Sequence, residues 1–100
     1  MKVKDNSVLL VGLKREIVKA LPYIEKIYNA EGESLILTCG LNGVHSAGSL
    51  HYSGYAVDIR TRMFSEQQKR SVYRKIKEVL GIAYDVILHD SHIHVEFDLI

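Results

Sequence analysis

Near the end of the chain the run His92-Ile-His-Val-Glu-Phe97 alternates without a break. His92, His94 and Glu96 fall on one side, and Ile93, Val95 and Phe97 on the other. Successive side chains of a strand point to opposite faces, so this run fits only a sheet with one face buried and the other left to polar groups. A second run repeats the pattern, with Tyr55, Val57 and Ile59 opposing Ala56, Asp58 and Arg60 between Tyr55 and Thr61. Two one-sided strands require a second layer to cover their apolar side.

Two amphipathic stretches can supply that layer. Leu13, Ile17, Leu21, Ile24 and Tyr28 recur at steps of three and four, which predicts a helix over 13–31 that Gly32 ends. Pro22 lacks a backbone donor, so a kink or break near Ala20 is expected, with Pro22 opening a second helical piece. Ser65 and Gln68 form a capping box ahead of a stripe of Val72, Ile76, Val79 and Leu80, and Gly81 closes this second helix, 65–80. Ser34 to Thr38, bounded by Gly32 and Gly40, reads as a buried strand. Ala83 to His89 and His92 to Phe97 are separated only by Asp90 and Ser91, the spacing of a tight hairpin. The order predicts one α+β domain over residues 1–100, with helices packed on a mostly antiparallel sheet.

Composition narrows the function classes. A net charge of +1 provides no positive field for nucleic acid or anionic lipid. The basic run Lys69, Arg70, Arg74, Lys75 and Lys77 reads as a solvated helix face. Cys39 is the single cysteine, so no intrachain disulfide forms, and it reads as a small buried apolar residue. Val8 to Leu13 is short, Gly-interrupted and without a cleavage pattern, and no stretch reaches the roughly 20 apolar residues of a membrane span. The expected product is made in the cytoplasm as a monomer, without nucleic acid or membrane partners.

The stretch from Gly40 to Gly54 carries four glycines among Ser and His, the signature of a long loop of the kind that carries function. His51 lies at its end, and Asp58 follows seven residues later on a strand with an apolar back. A carboxylate turned inward from a strand needs an ion pair, hydrogen bonds or a metal. Arg60 or a lysine can meet that need as well as a metal can, with His51 capping the loop. The His92 and His94 face is likewise compatible with an ordinary polar surface. The residues alone leave both readings open.

Taken together, Ser49, His51, Gly54, Ala56 and Asp58, followed after one helix by His92-Ile-His94, resemble the zinc peptidases of the D-alanyl-D-alanine carboxypeptidase family. That group includes phage L-alanyl-D-glutamate endolysins and shares its metal motif with the lysostaphin and hedgehog folds. The resemblance runs from about Leu35 to Phe97. It implies a small hedgehog/DD-peptidase-like domain holding one zinc ion per chain through His51, Asp58 and His94, with Ser49 at the substrate. Two imidazoles and a carboxylate leave a fourth position open for water, as in catalytic rather than structural zinc sites. It also implies hydrolysis of peptidoglycan stem peptides, as a D,D-carboxypeptidase or an L-alanyl-D-glutamate endopeptidase. A phage origin, with release at lysis or carriage in a virion to the bacterial cell wall, fits a minimal chain without a recognisable secretion signal.

The pattern departs from such enzymes in two places. They usually carry an acidic residue three positions before the last ligand, and here that position is Ser91. His92 is the first substitute as acid and base and His89 the second, with Asp90 and Glu96 reading as supports for a ligand imidazole. The loop also lacks the arginine that relatives use on a substrate carboxylate, so Arg60 or Arg62 is expected in that role, while His45 reads first as a loop histidine without a role and second as an alternative ligand or substrate contact. The missing carboxylate at Ser91 keeps open a second reading, a catalytically weak zinc-containing peptidoglycan-binding or virion module.

Overall fold

The computed structural model describes residues 1–5, 8, 10, 12–40 and 54–97. Five strands and two helices follow the order β1 (Lys2–Val3), α1 (Arg15–Ala30), β2 (Ile36–Cys39), β3 (Ala56–Arg60), α2 (Glu66–Leu80), β4 (Tyr84–Leu88) and β5 (His92–Phe97). The strands form one sheet in the order β1-β2-β3-β5-β4. Only β1 and β2 run parallel, and every other pairing is antiparallel. This is the small α+β domain expected, with α1 serving as the crossover that a parallel pair requires.

Both helices lie on one face of the sheet. Ile17, Ala20, Leu21, Ile24 and Tyr28 from α1 and Val72 and Ile76 from α2 pack with Leu37, Val57, Ile59, Ile93 and Val95 in a single core. The alternation of β3 and β5 therefore sorts as expected. Val57, Ile59, Ile93 and Val95 are fully buried under the helices, and Ala56, Asp58, Arg60, His92, His94 and Glu96 face the other way.

Helix α2 begins as its sequence dictates. The Ser65 hydroxyl accepts from the Gln68 backbone N–H at 3.1 Å, and the Gln68 side chain accepts from the Ser65 N–H at 3.0 Å. Gly81 ends it at φ +77°, a conformation costly for any other residue. The stripe differs in one position: Val79 is 48% exposed. It lines a groove of about 620 Å³ between the helices together with Tyr23, Ile27 and Lys75, on the side of the sheet away from the histidines.

Helix α1 corrects the expectation of a break. It runs unbroken through Pro22. A proline inside a helix costs about 3 kcal/mol. Each fully buried Ile, Leu or similar side chain contributes about 1.5–3 kcal/mol, so the anchors Ile17 and Leu21 before Pro22 and Ile24 and Tyr28 after it outweigh that cost. The carbonyl left without its helical donor is that of Val18, a half-exposed residue on the helix side away from the core.

The basic run of α2 also needs one correction. Arg70, Arg74, Lys75 and Lys77 are exposed as expected, but Lys69 is buried. Its ammonium donates to the Asp90 carbonyl at 3.1 Å and pairs with Glu66 at 2.9 Å, so the amine is satisfied where it lies.

Candidate functional site

The antiparallel register of β3 and β5 sets Asp58 opposite His94, Ala56 opposite Glu96 and Arg60 opposite His92. Direct cross-strand partners share a face with Cβ atoms about 4.5–5.5 Å apart, close enough for their side chains to meet. Asp58 Oδ1 lies 3.0 Å from His94 Nδ1, and Glu96 Oε1 lies 2.6 Å from His94 Nε2. A carboxylate thus stands at each ring nitrogen. The His94 side chain is 14% exposed and faces away from both helices.

Burial is the largest single influence on this imidazole and pushes its pKa down. Hydrogen bonds to Asp58 and Glu96, with the two negative charges behind them, outweigh it and leave the pKa above the ordinary 6.5. Metal-free, the ring is held between the two carboxylates, which favour its protonated form. The same donors also suit a metal. An imidazole nitrogen and a carboxylate oxygen 3.0 Å apart are near the roughly 3.3 Å that tetrahedral zinc bonds of about 2.0–2.2 Å would set between them.

His92 stands beside this pair. Its Nε2 is 3.8 Å from the same Asp58 oxygen, and Ser91 Oγ is 3.4 Å from its Nδ1. The His89 ring stacks on it at 4.6 Å between centroids. The tight turn between β4 and β5 produces that stacking, with the His89 N–H donating to the His92 carbonyl. The turn is also held from outside: the Thr61 N–H donates to the Ser91 carbonyl, and Lys69 to that of Asp90. Asp90 therefore meets the fold through its backbone. Lys69 is the supporting residue that the sequence reading missed: it stands three residues before Val72 and seven before Ile76, so the helical period that sets the buried stripe places it there, apart from its exposed basic neighbours.

Arg60 is half-buried on the site face, in register with His92, and its carbonyl accepts from the buried Tyr28 hydroxyl at 2.6 Å. Arg60 and Arg62 line a shallow hollow with Lys2 and Ile36. Cys39 is buried and in register with Asp58 across a bulge in the β2–β3 ladder. Burial first, and the Asp58 charge second, raise its thiol to about 11, so it is not a thiolate nucleophile at neutral pH.

His45, Ser49 and His51 lie outside the described residues. Gly54, where description resumes, takes φ +84°, and a Cβ there would collide with the Gly12 carbonyl oxygen. The Lys14 N–H donates to the Gly54 carbonyl at 2.9 Å, fixing the entry to β3 against the start of α1. Among the described residues no three His, Cys, Asp or Glu side chains converge as a metal-holding group. Nor is any helix among them long and apolar enough to cross a membrane.

No protein-family model matches the chain, and no curated protein matches it by sequence. Fold and site together define a small α+β domain with a carboxylate–histidine–carboxylate group on the sheet face that the helices leave open.

Proposed function

We propose that the chain is a zinc peptidase acting on peptidoglycan stem peptides, as a D,D-carboxypeptidase or an L-alanyl-D-glutamate endopeptidase. The observation that supports this most is the contact of Asp58 with His94. They are two of the three ligands named by the resemblance, 36 residues apart, and they meet side chain to side chain. In this reading His51 supplies the third donor. Bound zinc lowers the pKa of its water to about 7 and polarises a peptide carbonyl. Asp58 and His94 would hold the ion on the sheet face away from the helices, and Arg60 would offer a positive group to a substrate carboxylate. His92, 3.8 Å from Asp58, handles the proton that a carboxylate manages in similar enzymes.

Elemental analysis of the purified protein should find one zinc per chain, lost in Asp58→Ala, and purified muropeptides should be cleaved. In His92→Ala zinc should stay bound while hydrolysis falls by about 10²- to 10⁴-fold, the usual worth of an acid–base group. Zinc-free wild-type protein with no muropeptide cleavage would refute the reading. Ser91 supports one alternative, because its hydroxyl sits on His92 where similar enzymes keep a carboxylate. A chain that binds zinc and muropeptides without cutting them, and cuts only as Ser91→Asp, would be a binding module.

A further inference from the structure

We infer that Glu96 is a positioning residue that selects which nitrogen His94 presents to a metal; the inference rests on the zinc reading above. Carboxylates only accept hydrogen bonds, so a His94 ring that satisfies both Asp58 and Glu96 carries two protons. A metal held by Asp58 and His94 takes Nδ1, the nitrogen facing Asp58, and that nitrogen must give up its proton. One proton then remains, and it belongs on Nε2. Glu96 Oε1, 2.6 Å away, is the acceptor that keeps it there. Asp58 alone would draw the remaining proton to Nδ1, the nitrogen that the metal needs bare. Glu96 opposes that preference and also fixes the ring plane, as carboxylates behind metal-bound imidazoles commonly do.

The placement of Glu96 has no better explanation within the sheet. It lies two residues from His94 on the same strand face, and its register partner on β4 is Asp85, another acid. Like charges directly opposite each other destabilise a ladder, so cross-strand pairing does not account for a glutamate here. The contact with His94 does.

The test compares zinc affinity of the full chain, measured by chelator competition, in wild type, Glu96→Ala and Glu96→Gln. Loss of the acceptor should weaken zinc binding by about 10- to 100-fold. Glu96→Gln should restore most of it, because an amide oxygen accepts the same N–H. Long-range ¹H–¹⁵N spectra of the His94 ring provide a readout that does not depend on zinc. In metal-free protein buffered on the alkaline side, wild type should carry its ring proton on Nε2 and Glu96→Ala on Nδ1. Unchanged zinc affinity in Glu96→Ala, or an unchanged ring tautomer, overturns the role of Glu96. If wild type binds no zinc, the function proposed above falls, while the tautomer comparison still decides whether Glu96 governs the ring. Far-UV circular dichroism establishes that each variant is folded, and Glu96→Leu, which keeps the bulk and removes the acceptor, carries the test should Glu96→Ala be unfolded.

Discussion

Replacing Ile93 and Ile87 by alanine, one at a time, probes the sidedness of the sheet on which the site depends. Both residues lie in the β4–β5 hairpin, but Ile93 is fully buried, opposite Ile59 and Leu88, whereas Ile87 is 44% exposed on the site face opposite His94. Ile→Ala removes three carbons, and at about 0.8 kcal/mol each the lost transfer energy is about 2.4 kcal/mol at Ile93. The cavity left between β5 and the helices adds to this, within the roughly 2–5 kcal/mol span of such core truncations. For a domain of 60–100 residues each kcal/mol lowers Tm by about 4–8 °C, so Ile93→Ala should melt at least about 10 °C below wild type. Ile87→Ala should cost under about 1 kcal/mol, because the carbons removed are already partly in water. Urea titrations followed by far-UV circular dichroism, with similar m-values for all three proteins, measure both losses. Equal costs, or a larger cost at Ile87, would refute the register. A one-residue slip turns every side chain of β5 over, and His94 would then face the helices instead of Asp58.

Two further expectations follow from the same contacts. In chelator-treated protein the His94 pKa lies above its unfolded value, so its pairing with Asp58 and Glu96 stabilises fully below about pH 6.5, and this is lost as pH rises through the folded pKa. Urea midpoints measured across that range should fall with rising pH in wild type and stay flatter in His94→Gln; parallel curves would remove His94 as the cause. Lys69→Met should cost about 1–3 kcal/mol by leaving the Asp90 carbonyl without its donor, and should speed hydrogen exchange at the β4–β5 turn. Unchanged stability and exchange would show that the turn stands without Lys69.

Much of this architecture was legible because period and capping act locally. The Ser65–Gln68 box, Gly81, the two-residue hairpin and the alternation of β3 and β5 are each encoded within a few residues. Alternation also sufficed to put Asp58 and His94 on a shared face, although which ring nitrogen meets which carboxylate depends on register. What stayed hidden is tertiary. β1 is two residues long and has no period to read, and it exists because β2 offers an open edge. The helical path through Pro22 is decided by burial on both sides of it. The spacing of Lys69 with Val72 and Ile76 marks it for the buried face, but its partner, the Asp90 carbonyl, is known only once the hairpin turn arrives above it. The expected strand Ser34–Thr38 is shifted to Ile36–Cys39, where pairing with β3 begins and a bulge brings Cys39 level with Asp58.

β2 and β3 are neighbours in the sheet, yet the segment joining them, residues 40–55, is long. Doubling the length of a flexible connection costs only about 0.6 kcal/mol of closure entropy, a small sum beside the core beneath these strands. The closure cost of this connection is therefore nearly independent of its exact length. Asp58, His94 and Glu96 belong to the ladder and inherit its rigidity. Ser49 and His51 belong to the joining segment, and their number and spacing can be altered by grafting one segment for another. Lengthening the 40–55 connection by a few residues should therefore add well under about 1 kcal/mol of closure cost, while the ladder that carries Asp58, His94 and Glu96 keeps its register.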